Sequence, residues 1–474
     1  MTDTAAILGA GVIGGGWAAR FLLSGWNVKV YDPDPEALRK IDAVLTNARR
    51  SMPGLFETDL PAEGNLTFAD SLQDAVRDAS WIQENVPERL ELKQTILAQA
   101  QQACSKEAVL ASSTSGFKPS QLQQQLERPA QLIVAHPFNP VYLLPLVELV
   151  GDANTVATAS EVLSSLGMFP LHVRKEIDAH IADRLLEAVW REGLWLINDG
   201  IATTQEIDDA MRYGFGLRWA QMGMFDTYRV AGGEAGMAHF IAQFGPALEW
   251  PWTKLMDVPE LTEELIQKIA SQSNEQSGKY SIRELERLRD DNLVSILRAL
   301  KSRSWGAGEL LKQHDQRLRS NNGSAITAPV VSVQRAIPID WTDYNDHMNE
   351  SRYGQVFSDA ADAIMALIGA DAAYINTGMS YFTVETKIRY LEETVAGDRI
   401  YVNSQVLEGQ GKKLRLLHQM HHRDGRPLAS GEQLLIHVNL ETRRACEPSA
   451  EVLTRKEQLA AAHSHLPIPE FVGD

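Results

Sequence analysis

Three residues in the first third of the chain are of the types needed to take a proton from an alcohol. Ser115 ends Leu-Ala-Ser-Ser-Thr-Ser after one apolar run, His136 opens His-Pro-Phe-Asn-Pro after the next, and Glu148 comes twelve residues after His136. A histidine suits removal of a hydroxyl proton near neutral pH. A carboxylate on its other ring nitrogen sets the tautomer and stabilises the imidazolium that forms. The Ser115 hydroxyl is a candidate to hold the substrate oxygen. A second set lies in Asp340-Trp-Thr-Asp343-Tyr-Asn-Asp346-His347-Met-Asn349-Glu-Ser-Arg-Tyr353, ahead of a helical pattern. A carboxylate beside a helix N-terminus suits thioester hydrolysis: the free N–H groups polarise the carbonyl, and the carboxylate activates water or attacks directly. The competing structural reading is that these acids and Asn349 cap the helix.

Residues 5–32 supply the hydride acceptor for the first set. Ala-Ala-Ile-Leu runs into Gly9-Ala-Gly11-Val-Ile-Gly14, a helical segment follows, and Val28-Lys-Val-Tyr-Asp32 ends in an acid. Gly9 allows the tight turn, Gly11 the approach of a pyrophosphate, and Gly14 the packing of helix on strand. The helix N-terminus faces the phosphates. Asp32 is placed to accept from ribose hydroxyls, which selects NAD over NADP because a 2′-phosphate meets like charge.

These groups need elements to position them. Residues 1–178 alternate apolar runs with helical patterns, which predicts an α/β domain with a parallel sheet; its strands are expected at Ala5–Leu8, Asn27–Tyr31, Trp81–Asn85, Ala108–Ala111 and Leu132–Ala135. From Ile177 the period becomes helical, and residues 179–320 read as an all-α domain. Residues 319–329 are small, polar and unpatterned, as in a linker. Residues 330–474 read as an α+β domain. Its one helix runs from Asn349 to about Ile368, with Tyr353, Val356, Phe357, Ala360 and Ala361 on one face. Its strands fall at Val384–Tyr390, Arg399–Leu407, Lys413–His421 and Leu434–Leu440. The linker predicts two separable sites, one retained by a fragment ending near Asn321 and the other by a fragment beginning near Ala328.

The chain has 474 residues, 44% apolar and 23% charged, with a formal charge of −17. That length implies several domains, and that charge argues against nucleic acid or an anionic membrane as partner. Cys104 and Cys446 have no metal-ligand or redox spacing, which points to free thiols in a reducing cytoplasm and to no metal. The chain opens directly into a strand pattern, without the basic segment of a signal peptide.

The order fingerprint, Asn85-Val-Pro-Glu88, Ser-Ser-Thr-Ser115, His-Pro-Phe-Asn-Pro140 and Leu-Val-Glu148 resembles the 3-hydroxyacyl-CoA dehydrogenase superfamily over about residues 1–320. The resemblance implies that Ser115, His136 and Glu148 are catalytic, and that Glu88, Lys93 and Asn139 touch the nicotinamide cofactor. The family's Asn-Arg-Leu-Leu reads Asp183-Arg-Leu-Leu here, and His-Pro-Phe replaces His-Phe-Phe. Both departures point to the branch with L-gulonate 3-dehydrogenase, λ-crystallin and L-carnitine dehydrogenase and away from an acyl-CoA substrate; among these the favoured substrate is L-carnitine, a quaternary ammonium hydroxy acid. A trimethylammonium group donates no ordinary hydrogen bond, so aromatic faces and carboxylates must recognise it. Trp190, Trp195, Phe215, Trp219, Phe225 and Tyr228 are candidates, with Asp183 adding charge. Arg184, Arg218 and Arg229 are candidates for the substrate carboxylate.

Residues 330–445 resemble the hotdog-fold acyl-CoA thioesterases of the 4-hydroxybenzoyl-CoA type, through Asp-x-x-x-His-x-Asn-x-x-x-Tyr. The resemblance makes Asp343 catalytic and His347, Asn349 and Tyr353 pocket residues, with Asp346 in place of a family glycine. Lys387, Arg389, Lys412, Lys413 and Arg415 are candidates for CoA phosphates. The fusion implies a thioester made from oxidised carnitine, betainyl-CoA, cleaved to glycine betaine. Both families imply a homodimer. The alternatives are a 3-hydroxyacyl-CoA or L-gulonate dehydrogenase with an accessory CoA domain, or a non-catalytic λ-crystallin-like protein.

Overall fold

A computed structural model describes residues 3–231, 236–244, 253–254, 260, 262–321 and 328–468. It divides into two compact bodies.

The first body is built on an eight-stranded sheet of order β3-β2-β1-β4-β5-β6-β7-β8. The strands are β1 Thr4–Leu8, β2 Asn27–Tyr31, β3 Leu66–Phe68, β4 Trp81–Glu84, β5 Val109–Ser112, β6 Leu132–Pro137, β7 Leu146–Val150 and β8 Phe169–His172. Neighbours run parallel except β6 and β7. Ala5, Ala6, Ile7 and Leu8 are all buried, the continuous apolar pattern of a strand covered on both faces. The five expected strands are present, and the order reverses at β1, where open α/β sheets bind ligands. Three strands lacked a clear sequence signal. One of these, β7, carries Glu148.

Helices follow from Ala182–Asn198 to Ala307–Asn321. Within Gly216–Ala231, Gly223 takes φ +70° and interrupts the helix. Of the expected linker, residues 322–327 lie outside the described residues.

The second body combines residues 313–468 with Arg49–Ala62. Its antiparallel sheet has the order β10-β13-β12-β11-β9, with β14 paired to β13. The strands are β9 Val330–Ala336, β10 Met379–Tyr390, β11 Arg399–Glu408, β12 Lys413–His422, β13 Pro427–Asn439 and β14 Arg444–Ala445. The sheet curls around the helix Glu350–Leu367, which buries Tyr353, Val356, Phe357, Ala360, Ala361 and Ile364. This is a hotdog fold. Residues 49–62 join it through Asp59 N–H to the Gln334 carbonyl at 2.9 Å and Glu57 N–H to Asp315 Oδ1 at 2.9 Å. A helix expected nowhere, Ala450–His463, closes the chain.

Phe357 sets the depth of the central helix. Its ring stacks on His418 at 5.8 Å and covers Gly431, where an added Cβ comes within 2.6 Å of the ring. Gly431→Ala is expected to destabilise this body by about 1–3 kcal/mol through overpacking. Urea denaturation measures it, and NAD binding by the first body serves as the internal control.

Candidate functional sites

The antiparallel pairing of β6 with β7 sets His136 directly opposite Glu148. Their side chains meet with His136 Nδ1 3.0 Å from Glu148 Oε2, and both residues are buried. The carboxylate requires Nδ1 to carry the proton, which leaves Nε2 as the free base. The other oxygen, Oε1, accepts from Ile181 N–H and Ala182 N–H, each at 2.8 Å. These are the free amides that begin the helix Ala182–Asn198. Burial alone raises the Glu148 carboxyl; the bonds from His136, Ala182 and Ile181 outweigh it and hold the group below the usual carboxylate range. The charged form of Glu148 is therefore favoured.

The chain reaches that helix through two successive left-handed residues, Ala179 (φ 58°) and His180 (φ 50°). Neither is glycine, so the turn costs about 1–2 kcal/mol per residue. It brings the helix start onto Glu148 and buries His180 with Nε2 3.3 Å from the Thr114 carbonyl.

Ser115 is exposed on the loop after β5, between two tethered neighbours. The Thr114 hydroxyl donates to Glu88 Oε1 in a very short bond, and Gly116 N–H donates to the same oxygen at 3.4 Å. Glu88 thus shapes the Ser115 loop. Lys93 is buried; it donates to Glu84 at 2.9 Å and to the Val86 carbonyl at 3.0 Å, and forms an ion pair with Glu88 at 3.2 Å. It supports Glu88 from below. Glu84, missed in the sequence because it simply ends an apolar strand, also accepts from Ser112 Oγ at 2.5 Å. Asn139 is exposed one residue beyond Phe138, whose ring edge packs 4.9 Å from His136.

The glycine loop fits a dinucleotide. Gly9 takes φ +100°, and a Cβ on Gly14 falls 1.9 Å from the Gly9 carbonyl oxygen, so helix and loop touch only through glycine. A Cβ on Gly11 meets nothing within 4 Å, which is the open side that phosphates need. Asp32 Oδ2 accepts from Ala10 N–H at 2.6 Å and Oδ1 from Asp34 N–H at 2.8 Å. Those bonds fix the carboxylate, and each oxygen keeps capacity for a ribose hydroxyl.

The aromatic candidates separate. Phe215 packs on Trp219 at 4.6 Å, Tyr228 stacks on Phe240 at 4.7 Å, and Trp195 carries the Lys254 ammonium 4.0 Å above its ring. Trp190 and Phe225 are exposed. Among the described residues, no bond or ring contact joins Trp190, Phe215, Trp219 or Tyr228 to His136. Asp183 is half-buried beside His180, while Arg184 and Arg218 are exposed; the Arg229 side chain lies outside the described residues.

In the second body Asp343 lines a cavity of about 620 Å³ with Glu350, Tyr353, Tyr390, Glu392, Glu393 and Arg426. Tyr353 and Tyr390 meet edge to face at 5.1 Å. Burial first, then Tyr390 and Glu393, push the Tyr353 phenol up, so it stays protonated. Arg426 is bound to Glu392 at 3.0 Å. The Asp343 Oδ1 accepts from Asn345 N–H at 2.8 Å, and Asp346 takes φ 62°, which accounts for the family glycine there. Asn349 is the helix cap, accepting from Ser351 N–H at 3.0 Å. His347 stands outside the lining, 3.8 Å from Glu393. Of the CoA-phosphate candidates, Arg415 is paired with Glu432 and Lys413 lies 3.9 Å from Glu408.

Among the described residues, no group of three or more His, Cys, Asp or Glu is placed to hold a metal ion. No described helix is long and apolar enough to cross a membrane.

Comparison with known proteins agrees with this division. Residues 4–177 match the 3-hydroxyacyl-CoA dehydrogenase NAD binding domain, 180–277 its C-terminal domain, and 337–455 the thioesterase-like superfamily. A crystal structure of 5-formyl-3-hydroxy-2-methylpyridine 4-carboxylic acid 5-dehydrogenase, an NAD+-dependent dismutase, superposes with a TM-score of 0.55 at 27% identity, covering 64% of this chain and 99% of its own. The L-carnitine dehydrogenase of Mesorhizobium japonicum is 57% identical over 67% of this chain and 89% of its own length. Two relatives named L-carnitine dehydrogenase/betainyl-CoA thioesterase span nearly everything. That of Ruegeria pomeroyi is 59% identical over 99% of this chain and 98% of its own, and that of Agrobacterium fabrum 52% over 99% and 97%. With both domain families matched in one chain and identity at this level across its length, the chain belongs to the L-carnitine dehydrogenase/betainyl-CoA thioesterase family.

Proposed function

We propose that the chain oxidises L-carnitine to 3-dehydrocarnitine with NAD and hydrolyses betainyl-CoA to glycine betaine and CoA. The observation that carries the reading is the His136–Glu148 pair, set in register across β6 and β7. His136 Nε2 takes the hydroxyl proton, Glu148 stabilises the imidazolium, and Ser115 holds the substrate oxygen. Bound NAD would supply the acceptor for the hydride that leaves the hydroxyl-bearing carbon. Gly9, Gly11, Gly14 and Asp32 hold the dinucleotide, with Glu88 and Asn139 toward its nicotinamide end.

In the hotdog body, water adds to the thioester carbonyl and CoA leaves as thiol. Asp343 supplies the carboxylate, and the capped start of the helix Glu350–Leu367 polarises the carbonyl. The cavity's charge supports a cationic acyl group. It has four carboxylates against one guanidinium, plus two perpendicular tyrosines. Such a wall attracts trimethylammonium and repels phosphate. Free Cys104 and Cys446 support a cytoplasmic setting. Ile181, Leu185, Leu186 and Trp190, exposed at helical spacing, support a homodimer.

Replacing Asp32 by a small neutral residue is expected to weaken NAD and relax exclusion of NADP; equal use of both cofactors by the parent overturns that role. His136→Ala is expected to abolish NADH formation from L-carnitine while leaving NAD binding and thioester hydrolysis intact, and Glu148→Gln to lose most of the rate. Asp343→Ala is expected to lose release of thiol from betainyl-CoA alone.

Charge recognition is read with isosteres carrying tert-butyl in place of trimethylammonium, as both the alcohol and the thioester. Loss of the charge is expected to cost about 0.5–2 kcal/mol in kcat/KM at each site. Asp183→Asn is expected to harm the charged alcohol more than the neutral one. Equal kcat/KM for a charged and neutral pair removes the cation reading at that site.

A further inference from the structure

The loop after β2 reads Asp32-Pro33-Asp34-Pro35-Glu36, and the helix Ala37–Ser51 opens with Ala-Leu-Arg39-Lys40. The three acids are chained through the backbone. Asp32 Oδ1 accepts from Asp34 N–H at 2.8 Å, and Asp34 Oδ1 accepts from Glu36 N–H at 2.9 Å. Each aspartate takes the amide two residues on, across a proline that has none to give, so two successive side-chain turns fix Asp34 relative to Asp32. The other oxygen of Asp34, Oδ2, accepts from Lys40 Nζ at 2.5 Å. Glu36 Oε2 likewise accepts from Arg39 Nε at 2.6 Å. Both cations at the helix start are therefore engaged by carboxylates of the loop that carries the ribose acid.

NAD and NADP differ by one phosphate, on the 2′ oxygen of the adenosine ribose. A site that admits this phosphate needs a cation where an NAD site has its acid. Lys40 is such a cation. Its bond to Asp34 raises its pKa most, and the charge of Asp32 adds to the rise, which places the ammonium within the field of both acids. Asp34 is held below the usual carboxylate range by Lys40 first and by the Glu36 amide next. The pair is open to water, so its worth to stability is small. Its consequence is electrostatic: a phosphate that reaches Lys40 also meets Asp34, and the two charges cancel.

We propose that Asp34 is a second cofactor-specificity residue, which by holding Lys40 withholds that cation from the 2′-phosphate of NADP. This deepens the NAD part of the proposed function and rests on Asp32 as the ribose acid. The two aspartates act differently. Asp32 accepts from the ribose hydroxyls and repels a phosphate put in their place. Asp34 touches no part of the cofactor in this role; it neutralises the one lysine that could reward the phosphate. Removing Asp32 ends a repulsion without supplying an attraction, and NADP gains its partner only when Lys40 is released as well.

Variants of the full chain are titrated with NADH and NADPH, with no alcohol present, and each Kd is read from nicotinamide fluorescence. Asparagine is the informative replacement at position 34. Its Oδ1 still accepts from the Glu36 amide and keeps the turn, while its NH₂ cannot accept from Lys40. Asp32→Ser is expected to weaken NADH and to leave NADPH weak. Adding Asp34→Asn is expected to tighten NADPH about five-fold to thirty-fold with NADH little changed, the effect of one unit charge at contact distance from a phosphate in water. Adding Lys40→Met to that double variant is expected to cancel the gain. A gain that survives Lys40→Met, or none on Asp34→Asn after Asp32→Ser has weakened NADH, overturns this role and leaves Asp32 standing. NADH binding unchanged in Asp32→Ser removes the ribose assignment and this role with it. If Asp32→Ser binds neither cofactor, the Asp34→Asn and Lys40→Met changes are read in the parent chain. There the ratio of the NADPH and NADH Kd values is expected to narrow with the first and return with the second, and an unmoved ratio overturns the proposal.

Discussion

The buried carboxylate of Glu148 is the constraint on which the oxidation site depends. A charge taken out of water is costly unless its oxygens find donors. Glu148 finds three: the His136 imidazole and the amides of Ile181 and Ala182. The first donor comes from the neighbouring strand and the other two from the start of a helix. One side chain thus ties sheet to helical segment and sets the tautomer of His136. The two left-handed residues before the helix follow from the same demand, since an ordinary turn there would aim the amides elsewhere. Glu88 repeats the device on a smaller scale by gathering Thr114 and Gly116 around Ser115.

The hotdog body also sets a carboxylate beside a helix start, but Asp343 is not the cap. Asn349 takes the amide that needs capping, which leaves Asp343 facing the cavity. The sequence had set capping and catalysis against each other for this group of residues. The structure divides the two roles between neighbours. The cavity carries four carboxylates against one guanidinium, an excess that disfavours phosphate there.

The order of the chain and the order of the bodies differ. Residues 49–62 fall between β2 and β3, yet they add a hydrogen bond to β9 and another to Asp315. No periodic pattern marks this segment, because its role comes from single backbone contacts with residues more than two hundred positions away.

The chemistry of the site was legible wherever a motif is local. Gly9, Gly11, Gly14 and Asp32 lie within one strand–helix–strand unit, and the helix Glu350–Leu367 shows its buried face at regular spacing. His136 and Glu148 could be named from their types and from the ends of the apolar runs. Their pairing was expected from the chemistry; the register that makes it was not legible, because it depends on β7 turning antiparallel to β6. His180 gave no signal, since a lone histidine before a helix has no period and its meaning lies in what buries it. The aromatic residues were legible as a composition but not as a cage, because only packing decides which rings share a wall. The sequence by itself determined the cofactor loop, the candidate reacting groups and the succession of folds. The tertiary structure alone decided which of those groups meet, because strand register, backbone handedness and burial are set by contacts between residues far apart in the chain.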